Sequence, residues 1–268
     1  MCGRFANTSD LQRLISRFKF TVEVEGWETR PRFNIAPSQE ALVIRCVFKE
    51  CGEGRACLRV GRPMRWGLVP SWAADEKIGN RMINARSETL AGKPAFRRAL
   101  AARRCLVPAD GFFEWQRVAR GSRRPFFVRL RGGVPFAFAG LWETWVPHRS
   151  PAPTERGQDD TPHRPDESAP ATEQTAPLYT FTIITTEAND LVRPIHGRMP
   201  VILRPEDEER WLDPANRDPD ALIALLRPCP AGEMEVFEVS PLVNSPANDS
   251  PAVIEPLAAG PPVQEQLF

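Results

Sequence analysis

The chain has 268 residues, 42% hydrophobic and 26% charged, with a formal net charge of +1. This is the profile of a globular protein with one substantial core or two small ones. The longest apolar runs, such as Leu178 to Ile184, are strand-sized, which excludes a membrane-spanning helix. No apolar stretch follows the opening Met1-Cys2-Gly3-Arg4-Phe5, so no secretory signal is expected and a cytoplasmic setting is. The six cysteines (Cys2, Cys46, Cys51, Cys57, Cys105 and Cys229) are expected to be thiols. Cys46, Cys51 and Cys57 lack the paired spacing of a zinc ribbon and have no histidine nearby. They are expected to decorate a strand pair and its turn, with no metal. Residues 81–131 hold thirteen Lys and Arg against three Asp and Glu, a basic middle that suits a polyanion or a solvated arginine-rich surface equally well.

In chain order, Thr8 and Ser9 can cap a helix whose apolar face is Leu11, Leu14, Ile15 and Phe18. A loop is expected at Arg32–Gln39, then strands at Ala41–Phe48, Ala56–Val60 and Met64–Leu68. Pro94–Arg104 reads as a helix with proline in its first turn. Strands follow at Cys105–Val107, Phe112–Val118, Phe126–Leu130 and Phe136–Trp142. Residues 149–177 turn to Pro, Ser, Thr, Asp and Glu, too polar to bury a core, and are expected to be a disordered insertion. Strands are expected again at Leu178–Thr186, Met199–Leu203 and Met234–Val239, and helices at Glu206–Leu212 and Asp220–Leu226. The tail from 257 onward is expected to be flexible. The whole reads as a single α+β domain over residues 2–256, with a mostly antiparallel, barrel-like sheet and peripheral helices.

Cys2 draws attention because an amino-terminal cysteine presents a thiol and a primary amine on adjacent carbons. Near neutral pH both are partly nucleophilic, with ordinary pKa values of about 7.7–8.0 for the amine and about 8.5 for the thiol. An aldehyde forms an imine with the amine, and the thiol closes it to a thiazolidine. That chemistry requires removal of Met1. Three further segments carry acid–base groups. They are Asn84-Ala85-Arg86-Ser87-Glu88-Thr89, Asp110-Gly111-Phe112-Phe113-Glu114-Trp115 and His196-Gly197-Arg198-Met199-Pro200. A carboxylate among aromatics is expected to have a raised pKa. His148 and His163 lie at or within the expected insertion, which leaves His196 as the candidate catalytic histidine. Taken singly, each segment also reads as a turn or a strand face.

These segments, with Phe33-Asn34-Ile35-Ala36-Pro37, Trp66-Gly67-Leu68-Val69-Pro70-Ser71-Trp72, Thr185-Thr186 and Val239-Ser240…Val243-Asn244…Asn248, resemble in content and order the SOS response-associated peptidase (SRAP) family. The family's members shield abasic sites. The resemblance implies binding of single-stranded DNA and a thiazolidine crosslink between Cys2 and the abasic aldehyde. It also implies self-removal of Met1 as a peptidase-type activity. By the same resemblance, Asn84 would orient the Cys2 backbone, Glu114 would shuttle protons, and His196 would help open the deoxyribose. Arg4, Arg86 and Arg198 would hold phosphates and Trp72 would stack on a base. Asn34, Pro37, Ser87 and Thr185 would also face DNA. Ala73 stands where some relatives carry a second tryptophan. No cofactor is implied, and a monomer is expected.

Two other classes compete. Class II glutamine amidotransferases also begin Met-Cys-Gly, yet Arg4-Phe5 follows here and no synthase domain is recognisable. A plain single-stranded DNA-binding module would bind through salt-sensitive phosphate contacts without covalent chemistry.

Overall fold

The computed structural model describes residues 2–24, 27, 30–51, 54–118, 121–147 and 176–257. The first half contains β1 (Arg4–Asn7), α1 (Leu11–Phe18), β2 (Thr21–Val22), β3 (Arg32–Ile35), β4 (Glu40–Cys51), β5 (Gly54–Trp66), β6 (Asn84–Arg86), α2 (Pro94–Ala102), β7 (Arg104–Ala109) and β8 (Gly111–Arg117). The second contains β9 (Arg123–Leu130), β10 (Phe136–Trp145), β11 (Leu178–Glu187), β12 (Arg198–Pro200), α3 (Pro205–Leu212), α4 (Pro219–Ile223) and β13 (Met234–Glu238). Residues 149–175 of the expected insertion at 149–177, the histidines at 148 and 163, and the expected tail beyond residue 257 lie outside the described residues.

Strands rich in β-branched and aromatic residues hydrogen-bond in the order β11-β10-β7-β4-β5. β5 then returns to β11 through Thr180↔Arg65 and Phe181↔Trp66, closing a ring. Closure satisfies backbone groups that an open sheet leaves at its edges. A second sheet runs β13-β9-β8-β1-β3. The fold is thus α+β with a barrel-like, mostly antiparallel core. Among the described residues three pairings are parallel: β2 with β5, β11 with β5 and β11 with β6. Between the two sheets, Phe5 packs edge-on against Trp66 and Phe138, with centroids 5.2 and 5.8 Å away. Phe5 therefore pins the strand that begins two residues after Cys2. No helix among the described residues is long and apolar enough to cross a membrane.

Several elements differ from expectation, each for a local reason. The α1 cap is Asp10, whose side chain accepts from the Arg13 amide at 2.8 Å. Thr8 and Ser9 serve Asp110 instead. Its carboxylate accepts from both their amides (2.6 and 2.8 Å) and both hydroxyls (3.3 and 2.6 Å). This latch ties the end of β1 to the β7–β8 turn, where Gly111 is needed because a Cβ would meet the Phe127 ring at 2.2 Å. Asp110→Ala is expected to cost about 2–3 kcal/mol in urea unfolding, because several donors lose a charged acceptor. Asp110→Asn, which keeps one acceptor oxygen, should cost less.

The two strands expected at 56–60 and 64–68 are one, β5. Gly61 makes room for Phe20, since a Cβ there would lie 2.5 Å from its ring. Pro63 falls between β5's parallel partners, β2 at 60–61 and β11 at 65–66, where no neighbour needs its missing N–H. The expected loop at 32–39 contains β3, and a short strand, β6, was not expected at all. The strand expected at 199–203 is only Arg198–Pro200. The chain then leaves β11, and Ile202 bridges to Phe138 on β10. The expected helix at 220–226 is Pro219–Ile223, after which Leu225 and Leu226 stay buried in turns. Cys46 and Cys57 do lie on a strand pair, β4 and β5. They are joined there by a disulfide with Cα atoms 5.5 Å apart, contrary to the expectation of free thiols.

Candidate active site

Cys2 is fully buried at the entry to β1. Its thiol donates to the Arg4 carbonyl at 3.7 Å. Burial pushes the thiol pKa far up, and the Glu114 charge adds to this. Asn84, the first residue of β6, donates from Nδ2 to the Cys2 carbonyl at 2.7 Å. Asn84 is placed by the parallel pairing Asn84↔Ile183, so the ring of strands fixes the Cys2 backbone.

Glu114 lies on β8, one residue past the last position paired with β1, Arg4↔Phe113. It is 2% exposed, and burial raises its carboxyl pKa against the opposing charge of His196. Glu114 thus acts electrostatically on both Cys2 and His196. His196 ends a tight loop after β11. Asn189 orders that loop: its Oδ1 accepts from the Val192 amide at 3.0 Å and its Nδ2 donates to the Cys229 carbonyl at 2.7 Å. The Arg198 amide donates to His196 Nδ1 at 3.0 Å. The Arg198 carbonyl lies 3.1 Å from the same nitrogen. Four chain segments therefore converge on a thiol, an amide, a carboxyl and an imidazole.

The residues expected to face DNA fall into two groups. Arg86 and Trp72 are exposed, Trp72 by 55%. Trp72 shares a shallow concavity with Lys77 and Arg81. Ala73 beside it is buried, and its carbonyl accepts from the Trp145 indole at 2.7 Å, so this position has no room for a second stacking ring. Pro37 is half-buried. The other group is tied into the protein. Asn34 is fully buried and donates from Nδ2 to the carbonyls of Val243, Ser245 and Asn248. Arg4 donates to Asn34 Oδ1 at 2.8 Å and to the carbonyls of Val243 and Asn244. Ser87 and Thr185 are buried. Arg198 forks onto both Glu88 oxygens at 3.1 Å and donates to the Thr185 carbonyl at 2.7 Å.

The arginine-rich middle divides in the same way. Arg104 is buried and donates to the carbonyls of Leu100, Ala101, Trp211, Asp213 and Asn216. Burial lowers its pKa to about 10. Arg103, Arg124 and Arg129 pair with Glu143, Glu238 and Glu235. These cations hold the fold together. Sequence reasoning missed the Arg198–Glu88 pair, although both residues lie in quoted motifs. It also missed an open cleft of about 450 Å³ lined by Gly3, Arg4, Trp115, Arg123 and Asn244.

The fold agrees with the comparisons. The sequence model of the SOS response associated peptidase (SRAP) family matches residues 1–246, and the chain belongs to that family. It is 44% identical over 255 residues to the abasic site processing protein YoqW of Bacillus subtilis strain 168, covering 95% of this chain and 99% of that one. It is 31% identical over 256 residues to the abasic site processing protein HMCES of Gallus gallus, covering 87% of this chain and 68% of that one. A solved structure from Bacteroides thetaiotaomicron, 22% identical, matches with a TM-score of 0.75 over 96% of this chain and 100% of its own, and shares the fold.

Proposed function

We propose that this protein processes abasic sites in single-stranded DNA by a covalent thiazolidine crosslink through Cys2, acting as one domain over residues 2–256. The observation that carries the reading is the convergence on Cys2: the Asn84 amide holds its carbonyl at 2.7 Å, while the buried Glu114 acts on both its thiol and His196. The names of YoqW and HMCES, both abasic site processing proteins, support the substrate.

The first step hydrolyses the Met1–Cys2 amide and frees the Cys2 amine; this is the peptidase-type activity. His196 then gives a proton to the ring oxygen and recovers one from the C1′ hydroxyl as the C1′–O4′ bond of the abasic deoxyribose breaks, leaving the C1′ aldehyde. The Cys2 amine adds to C1′ to give a hemiaminal. Glu114 supplies a proton to the departing hydroxyl and takes the remaining proton from the nitrogen, one water leaves, and an imine remains. The Cys2 sulfur adds to C1′, the thiol proton passes through Glu114 to the nitrogen, and the ring closes. One water is lost overall on crosslinking. The amine supplies the first nucleophile and the thiol traps the product. Arg86 and Trp72, both exposed, suit a phosphate and an unpaired base.

The test mixes Met1-free protein with single-stranded DNA carrying one abasic site and resolves the products on a denaturing gel. A band stable to heat and detergent is expected with abasic DNA only. It should be absent when the aldehyde is first blocked with an alkoxyamine, or when Met1 is retained. No band from verified Met1-free protein would sink the reading.

A further inference from the structure

At the end of β1 away from Cys2 lies a cavity that the proposed chemistry does not use. Its volume is about 230 Å³, and residues of β1, β3, β4, β5 and the segment before β3 line it. Ile35, Ala41, Leu42 and Pro63 supply its apolar lining. Trp27, half-buried, packs against the same apolar cluster as Leu42 and borders the cavity. An apolar cavity of roughly 150 Å³ holds one benzene ring, so this one has room for a fused pair of rings.

Its polar lining is unmatched. Asn7 is only 8% exposed, and its Oδ1 has no hydrogen-bond partner among the described residues. Buried polar atoms are nearly always paired, so such an orphan points to a partner from outside the chain. The ladder is irregular at the same place. Phe5 pairs with Ile35 and Asn7 with Arg32, so β3 carries one extra residue. A bulge of this kind re-aims side chains and recurs next to active sites. The Asn7 amide turns about a soft torsion and offers a donor and an acceptor side by side.

Arg30, Arg32 and Glu40 complete the lining. Arg32 is matched by Asp249 at 2.6 Å. Arg30 and Glu40 are exposed, and neither makes a side-chain hydrogen bond or ion pair among the described residues. Their charges are opposite, so the rim gives an anion no net attraction. The occupant that fits is uncharged, flat, two rings wide, and carries a donor beside an acceptor on one edge. A purine base meets each condition. An asparagine amide bonds bidentately to adenine N6 and N7, and the base face stacks on an aromatic ring.

We infer that this cavity binds a free purine base, adenine best, with Asn7 on its N6/N7 edge and Trp27 on its face. Hydrolysis of an N-glycosidic bond leaves an abasic sugar and releases the base. Water gives its oxygen to C1′ and a proton to the departing nitrogen. The class of reaction that must supply the proposed substrate therefore also supplies this ligand. That link rests on the abasic-site reading above, whereas the binding site rests on the cavity.

The test titrates adenine into the full chain, free of Met1, by isothermal titration calorimetry. Adenosine 5′-monophosphate and the zwitterion tryptophan serve as comparisons. Saturable one-to-one binding of adenine is expected, with neither comparison binding more tightly. Asn7→Leu should weaken adenine by at least about fivefold, the loss of a hydrogen-bonding partner. Trp27→Leu should weaken it by about tenfold, the loss of a stacking face. Arg30→Ala should leave it within about twofold, since the base is uncharged. Asn7→Leu and Trp27→Leu should crosslink abasic DNA at the wild-type rate. Should Asn7→Leu fail to fold, Trp27→Leu decides. The site is overturned by the absence of saturable adenine binding, or by unchanged affinity in Asn7→Leu and Trp27→Leu. Tighter binding of either comparison overturns it too. So does displacement of adenine by single-stranded DNA carrying a tetrahydrofuran residue, which would make the cavity part of the strand's path. Adenine binding by verified Met1-free protein that forms no adduct with abasic DNA would uphold the site and remove its link to lesion formation.

Discussion

Replacing Cys2 by serine will remove the heat-stable DNA adduct while leaving non-covalent binding to single-stranded DNA within about twofold of wild type, since the phosphate contacts that dominate affinity are untouched. Serine keeps the amine, so the imine still forms and can be trapped by borohydride. It lacks a thiol to close the ring, so without reduction the imine hydrolyses. The expected loss of heat-stable product exceeds about 100-fold, because only the covalent nucleophile has changed. Cys2→Ala should behave identically, which separates the thiol's chemistry from any effect of hydroxyl size. Burial of the Cys2 side chain makes both substitutions small changes of volume in a packed site. A heat-stable band of wild-type intensity from Cys2→Ser would show that the amine alone holds the lesion. The rate should also rise from pH 6 toward pH 8, as the freed α-amine, ordinarily near 7.7–8.0, loses its proton.

On the proposed mechanism, an attached Met1 is a built-in control of the reaction. While Met1 is attached, the Cys2 nitrogen is an amide and the thiol is held protonated by burial and by the Glu114 charge. On the proposed mechanism, neither nucleophile is competent in that form. Removal of Met1 places an ammonium beside the thiol, and a nearby positive charge favours the thiolate.

The barrel was legible in the sequence because its long strands are apolar enough to announce themselves, as in Phe136–Trp145 and Leu178–Glu187. β3 and β6 were not. Residues 84–86 carry no apolar alternation, and they are a strand only because Ile183, Ile184 and Thr185 lie alongside. β5 was split in two because Gly61 and Pro63 read as breakers. Their reasons, the Phe20 ring and a gap between two partner strands, come from distant parts of the chain. The composition of the candidate site was legible from motifs, while its geometry was not. Nothing local says that Asn84 reaches back 82 residues to the Cys2 carbonyl. Nor does charge counting say that Arg104 would be buried among carbonyls while Arg123, nineteen positions on, stands exposed. Both are arginines of the same basic stretch, and only their tertiary partners distinguish them.

Glu114→Gln should slow adduct formation by about 10²–10⁴-fold, the usual contribution of a positioned acid–base group, and at the same time stabilise the protein once pH exceeds the raised native pKa of Glu114. The second effect follows from the direction of its shift. Burial raises the Glu114 pKa above its unfolded value, so the native state binds its proton more tightly than the unfolded chain does. The stability associated with that proton is full below the ordinary carboxylate pKa of about 4.3 and is lost as pH rises through the raised native value. Above that window the wild type carries the cost of a buried charge, which glutamine removes. Thermal melts of the two proteins should converge near pH 4 and separate above it, with Glu114→Gln the higher. A structural role alone predicts the opposite: a variant that crosslinks poorly and also melts lower. A variant that crosslinks at the wild-type rate would remove Glu114 from the proton path altogether. Slow chemistry in a more stable protein is the outcome specific to a carboxyl kept buried for catalysis, because burial both raises its pKa and destabilises the charged form that the reaction must pass through.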